Sequence, residues 1–138
     1  MFTLNVVTPD KKIVTDLEID EVIVPGFKGE LDILPGHAPL MTTLGTGVLR
    51  YRAKGAANFE TAVVSWGYCE VFHEGVIVLA EVAENLAEID RARAEANLKK
   101  AQTALLDPLL VADQMEMMHR KVDRNQARLN AISHHQSH

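Results

Sequence analysis

Gly29-Glu30-Leu31-Asp32-Ile33-Leu34-Pro35-Gly36-His37-Ala38-Pro39-Leu40 is the stretch that settles the character of the first half of this chain. Leu31 and Ile33 point one way and Glu30 and Asp32 the other, which is the period of a half-buried strand. Pro35, Gly36 and Pro39 then surround a lone histidine. Proline fixes φ and removes a hydrogen-bond donor, and glycine enters conformations closed to other residues, so this segment is a rigid, shaped turn. A rigid loop at the end of a strand presents a surface to a partner.

Working outward, the strand period recurs over Phe2 to Val7, Leu17 to Val24, Val48 to Ala53, Phe59 to Ser65, Gly67 to Phe72 and Val76 to Glu81. Turn signals separate the runs: Thr8-Pro9-Asp10-Lys11, Pro25-Gly26, Lys54-Gly55 and His73-Glu74-Gly75. Short strands at spacings near ten residues, with no helical pattern between them, indicate an antiparallel sandwich or barrel. The period changes after about Asn85. From Ile89 onward there is no glycine, and Pro108 is the only proline. Ala94, Leu98, Ala101 and Leu105 form one helical stripe, and Val111, Met115, Met118, Val122, Asn125, Leu129 and Ile132 form a second. Asp107-Pro108 predicts the second helix's N-cap and first residue, with Leu106 and Val111 placed for a hydrophobic staple. Helices so briefly connected run antiparallel, as a hairpin. The expected organisation is a β-sandwich over residues 1–86 and a helical hairpin over 87–138. The hairpin is rich in alanine and methionine, which bury little area or specify packing weakly, so it is expected to dock on the sandwich or on a partner.

The chain has 138 residues, 47% of them hydrophobic, and a net charge of -5. That acidity argues against a nucleic-acid partner. Cys69 is the only cysteine, which excludes an intramolecular disulfide and a cysteine-rich zinc site. No signal peptide and no membrane-spanning run is apparent, so the chain is expected to be soluble and cytoplasmic. The charge is uneven: residues 1–87 hold six basic against twelve acidic residues, and 88–138 hold eight against seven. Arg120, Lys121, Arg124 and Arg128 give the second helix a local basic surface that suits an acidic partner or phosphates.

No catalytic constellation emerges. His37 has no second ligand or base partner in its loop, and Cys69 reads as a buried, inert thiol. Ser65 is followed by Trp66-Gly67, which is not a nucleophile elbow. His134, His135 and His138 form only a loose terminal cluster. One motif stands out: Ile89-Asp90-Arg91-Ala92-Arg93-Ala94. In one reading Asp90 is simply an N-cap. In the other it is part of a nucleotide site, with Asp90 accepting from an adenine amino group, Arg93 assisting from the next turn, and Arg124 and Arg128 reaching the phosphates.

The Gly29–Leu40 segment closely resembles the Gly-Glu-Leu-Gly-Ile-Leu-Pro-Gly-His-Ala-Pro-Leu segment of bacterial F-type ATP synthase epsilon subunits. Asn5-Val6-Val7-Thr8-Pro9-Asp10, Ser65-Trp66-Gly67-Tyr68-Cys69-Glu70-Val71 and the Ile-Asp-x-x-Arg-Ala motif at Ile89–Ala94 match the same family in order and spacing. The resemblance implies a ten-stranded sandwich followed by a helical hairpin, in a non-catalytic subunit of the central stalk. Such a subunit binds γ and the c ring, and its hairpin extends toward the α/β head to restrain ATP hydrolysis. It also implies that Glu30 and Asp32 face the rotor, with Glu30 toward the c ring and His37 toward γ. Arg120, Lys121, Arg124 and Arg128 would meet an acidic loop of the β subunit. No cofactor is required, and ATP is the implied regulatory ligand, held by Glu84, Ile89, Asp90, Arg93, Ala94, Arg124 and Arg128. The implied location is the cytoplasmic face of the bacterial inner membrane, attached only through the complex.

Three positions depart from the family pattern. Asp32 replaces a glycine and is expected on the exposed face with ordinary φ. Trp66 stands where a second glycine usually follows serine, and needs room and a partner for its indole. Lys100 stands where an arginine often does, giving a point charge instead of a planar fork. Two rival readings are a stand-alone ATP-sensing module, and a metal-dependent β-barrel enzyme built on His37 and His73.

Overall fold

Strand β1 (Thr3–Val7) buries Leu4 and Val6 and turns Thr3, Asn5 and Val7 outward, as a two-faced strand requires. The same logic runs through β2 (Lys12–Gly26), β3 (Gly29–Ile33), β4 (Leu40–Leu44), β5 (Gly47–Ala53), β6 (Glu60–Phe72) and β7 (Gly75–Asn85). The computed structural model describes residues 1–136, with side chains through Ser133. The side chains of His134 and His135, and all of His138, lie outside the described residues.

The sheet order is β1-β7-β6-β4-β2-β3, with β5 bridging β2 and β6 and β1 also pairing β2. β2 pairs with β1 over its first half and with β5 and β3 over its second. β6 pairs with β5 before Ser65 and with β4 after Trp66. The long strands therefore bend from one layer into the other, and the sheet closes over a core that includes Leu4, Val22, Val24, Ile33, Leu49 and Val78. Seven strands result among the described residues, fewer than the ten implied by the family resemblance, because β2 and β6 each run unbroken through two sets of pairings. One pairing departs from the antiparallel expectation. β1 lies between β2 and β7, antiparallel to the first and parallel to the second. Strand β4 was not expected from sequence, and Phe59–Ser65 and Gly67–Phe72 are one strand rather than two.

A short 3-10 turn (Leu86–Glu88) leads into α1 (Arg91–Ala104) and α2 (Ala112–Gln136). The predicted stripe of α1 holds: Ala94 and Ala101 are buried, and Leu98 and Leu105 half-buried. The start of α2 is corrected. Asp107 does not cap it; its Oδ1 accepts from the Leu109 N–H at 2.9 Å, closing a local turn around Pro108. The helix begins four residues later, where the Gln114 side chain accepts from the Val111 N–H at 3.3 Å, one arm of a capping box. Leu106 and Val111 are 81% and 59% exposed, so no staple forms.

The hairpin docks through small residues. Ala127 and Ala131, one turn apart on α2, pack with Val63 of β6 against Val48, Leu86 and Ile89. Alanine lets the helix approach the sheet closely but removes little apolar area from water, so this contact is modest. Lys11 to Glu88 at 3.0 Å and Arg128 to Glu84 at 2.8 Å add ion pairs at the same junction.

Candidate functional site

Asp90 is the N-cap of α1, and its Oδ1 accepts from the Arg93 N–H at 3.1 Å. The simpler reading of the motif is thus realised, and it uses one of the two carboxylate oxygens. Around it, Glu84, Ile89, Asp90, Arg93, Ala94 and Arg128 line one cavity of about 240 Å³, joined by Glu88 and Asn97. Six of the seven residues assigned to nucleotide binding are brought together there. Arg124 is not among them; it lines a neighbouring cavity of about 380 Å³ between α1 and α2. The two cavities share Asn97 and Arg128. Lys100 and Lys121 also line the second, above a floor of Ala101, Ala104 and Met118.

Hydrogen bonds fix this region. Arg128 Nε donates to Glu84 Oε1 at 2.8 Å and its terminal nitrogen donates to Asn125 Oδ1 at 2.8 Å. Asn125 Nδ2 in turn donates to the Lys121 carbonyl at 2.8 Å. The polar residue on the helix seam is therefore satisfied, and it aims Arg128. Among the described residues, Arg124 Nε is buried without a hydrogen-bond partner, a donor that calls for an acceptor. Glu88 is held below the usual carboxylate range, chiefly by its hydrogen bond from Lys11.

The residues expected to face the rotor lie on β3 and the loop after it. His37 N–H donates to the Leu34 carbonyl at 3.0 Å, closing a turn with Pro35 second and Gly36 third at φ 90, the positions those residues favour. His37 Nδ1 donates to the Ala38 carbonyl at 2.8 Å, so the histidine serves its own loop. Glu30 and Asp32 are exposed. Glu30 pairs with Arg50 at 3.6 Å. Asp32 has no positive φ, but its hydrogen bond and charge push the Glu21 carboxyl upward, aided by burial and opposed by Arg52.

A row of exposed apolar side chains was not anticipated. Tyr68 and Leu79 are directly paired across β6 and β7, and Met41 lies diagonally beside them on β4. They are 54%, 47% and 67% exposed. The alternation was legible in sequence, but which face a partly apolar pair of sides would bury was not. Cys69 points the other way, into the core, where burial pushes its thiol up to about 12. Among the described residues, no three His, Cys, Asp or Glu side chains are grouped to hold a metal ion. No helix among them is long and apolar enough to cross a membrane.

Residues 1–86 match the family described as the ATP synthase, Delta/Epsilon chain, beta-sandwich domain. The ATP synthase epsilon chain of Bdellovibrio bacteriovorus is 43% identical over 128 residues, covering 93% of this chain and 91% of the relative. That of Geobacter metallireducens is 48% identical over 102 residues, covering 74% and 72%. In fold, the chain resembles one from the cryo-EM structure of the Euglena gracilis mitochondrial ATP synthase (OSCP/F1/c-ring), with TM-score 0.85 at 20% identity, covering 95% of this chain and 81% of that one. A chain from the central stalk and c-ring structure of the Tetrahymena thermophila enzyme gives TM-score 0.63 at 13% identity, covering 94% and 95%. The loop, the sandwich and the hairpin motif thus converge with near full-length similarity, and the chain belongs to the ATP synthase epsilon chain family.

Proposed function

We propose that this chain is a non-catalytic subunit of a bacterial F-type ATP synthase central stalk, coupling γ to the c ring and restraining ATP hydrolysis through its hairpin. Family membership supports the first part. The row of Met41, Tyr68 and Leu79 would offer γ an apolar surface, since contiguous exposed apolar groups mark interaction sites. Glu30 and Asp32 would offer an acidic strand to polar loops of the c ring, and His37, in the loop after it, would face γ. The complex would hold the chain at the cytoplasmic face of the inner membrane.

Regulation by ATP rests on one observation: six residues assigned to nucleotide binding line a single cavity that adjoins a second, cationic one. An adenine amino group fits the other oxygen of Asp90, with Ile89 and Ala94 as apolar walls. Phosphates fit the adjoining cavity, where Arg124 Nε lacks an acceptor and Lys100, Lys121 and Arg128 supply further charge. Both helices line these cavities, so a bound nucleotide would favour the docked hairpin by its differential affinity for that state. Released, the row of Arg120, Lys121, Arg124 and Arg128 would meet an acidic surface of the α/β head, through attraction that is salt-sensitive.

Calorimetry on the purified chain tests the nucleotide site. Asp90→Ala is expected to weaken ATP binding about tenfold or more, from the lost charge-assisted hydrogen bond. Equal affinity in the variant would remove Asp90 from the site.

A further inference from the structure

Trp66 occupies an unusual place in the fold. Its φ is 56, a conformation that is an outlier for a bulky side chain and persists only where the surroundings over-determine it. The surroundings do so. Ser65 is paired with Val82 and Gly67 with Ala80, so the backbone on both sides is fixed to β7. Gly67 is itself at φ 145, and a Cβ there would lie 1.8 Å from the Leu79 carbonyl oxygen. The bend is thus set by Gly67 and the ladder, and Trp66 must accept the conformation it is given.

The indole produced by this bend meets the hairpin. The guanidinium of Arg120 lies 4.6 Å from the Trp66 ring centroid, within cation–π range. Glu116, one turn earlier on α2, holds Arg120 at 3.4 Å. The contact falls in the weakly anchored half of the helix: Ala112 to Met117 are all exposed. The firmly docked positions, Ala127, Arg128 and Ala131, begin seven residues later, roughly 10 Å along the axis. One attachment leaves a helix free to pivot, and two fix its line across the sheet.

We infer that Trp66 and Arg120 form a latch that holds the first half of α2 on the sandwich and biases the hairpin toward its docked state. Its bearing on regulation rests on the proposed mobility of the hairpin. Arg120 belongs to the basic row assigned to the extended-state contact. Docked, its guanidinium is engaged by the indole face and by Glu116 while staying partly exposed; extended, it is released from the indole to meet an acidic surface. The same side chain is then used in one state or the other, never in both.

Hydrogen–deuterium exchange on the full chain, with W66G, R120M and the double variant, tests the latch. Glycine at 66 suits the positive φ, so the bend is retained. Each single variant is expected to speed exchange over residues 112–124 about two- to fivefold, the range of a partly exposed cation–π contact. The double variant should be no faster than either single. Unchanged exchange in the singles, or effects that multiply in the double, overturns the latch. If W66G fails to fold, R120M decides alone: it must speed exchange and alter the emission of Trp66, the only tryptophan. ATP hydrolysis with residues 88–138 removed reports separately on the regulatory reading. Faster hydrolysis there, without an exchange response in the variants, discards the latch and keeps that reading; the opposite pattern does the reverse.

Discussion

Glu84→Gln isolates the ion pair at the centre of the hairpin junction. Glu84 Oε1 and Arg128 Nε are 2.8 Å apart, and their side chains are only 19% and 21% exposed. A charge-assisted hydrogen bond contributes about 1.5–3 kcal/mol when shielded, and partial solvent access trims this to about 1–2 kcal/mol. Among the described residues the other junction contacts are the alanine patch on Val63, the exposed Lys11–Glu88 pair and, further along α2, Arg120 on Trp66, none of which replaces a shielded ion pair at this point. Arg128 retains Asn125, which keeps its side chain in place but does not link the helix to the sandwich. At about 1.4 kcal/mol per tenfold, the docking equilibrium should shift about five- to thirtyfold. Measured without nucleotide, amide exchange over residues 122–132 should rise by that factor while the strands of the core stay unchanged. Unaltered exchange in α2 would refute the assignment. Equal acceleration in β6 would mean that Glu84 supports the sandwich instead.

Two further variants test the sandwich itself. Asp32→Asn removes a charge beside Glu21, whose carboxyl is raised in the fold by that neighbour. A raised carboxyl contributes stability that is present below its ordinary value of 4.5 and is lost as pH rises through the folded value. The variant should therefore be more stable than the parent at pH 7, by about 0.2–1 kcal/mol, with the gain vanishing near pH 4; urea titrations at both pH values check this. Gly67→Ala places a Cβ 1.8 Å from the Leu79 oxygen at a φ of 145, and should cost about 3 kcal/mol or more. A urea midpoint equal to the parent's would mean that β6 does not bend there.

What was legible in the sequence follows physical clarity. Glu30 to Ile33 alternates cleanly, and the strand is there with Ile33 buried. Asp90 is a strong N-cap ahead of a clear stripe, and α1 starts where it should. β4 was obscured because Leu40-Met41-Thr42-Thr43-Leu44 carries an apolar Met41 on its exposed side. Ser65-Trp66-Gly67 looked like a break because a glycine in a strand usually marks one, yet here the strand bends and continues. Asp107-Pro108 is chemically competent to start a helix, and an Asx-type turn took the same residues. Ala127 and Ala131 decide where α2 docks, yet small residues leave almost no trace in a hydrophobic pattern. Arg120 on Trp66 is a tertiary contact across 54 positions, and no local period encodes it.

The central claim is that a subunit of this family, through its hairpin, restrains hydrolysis by the assembled enzyme. ATP hydrolysis by a reconstituted complex, carrying either the whole chain or residues 1–87 alone, tests it most directly when followed across ATP concentration. Faster hydrolysis with the shortened chain, narrowing as ATP rises and draws the intact hairpin into its docked state, is the expected result. Equal rates at every ATP concentration would contradict the claim.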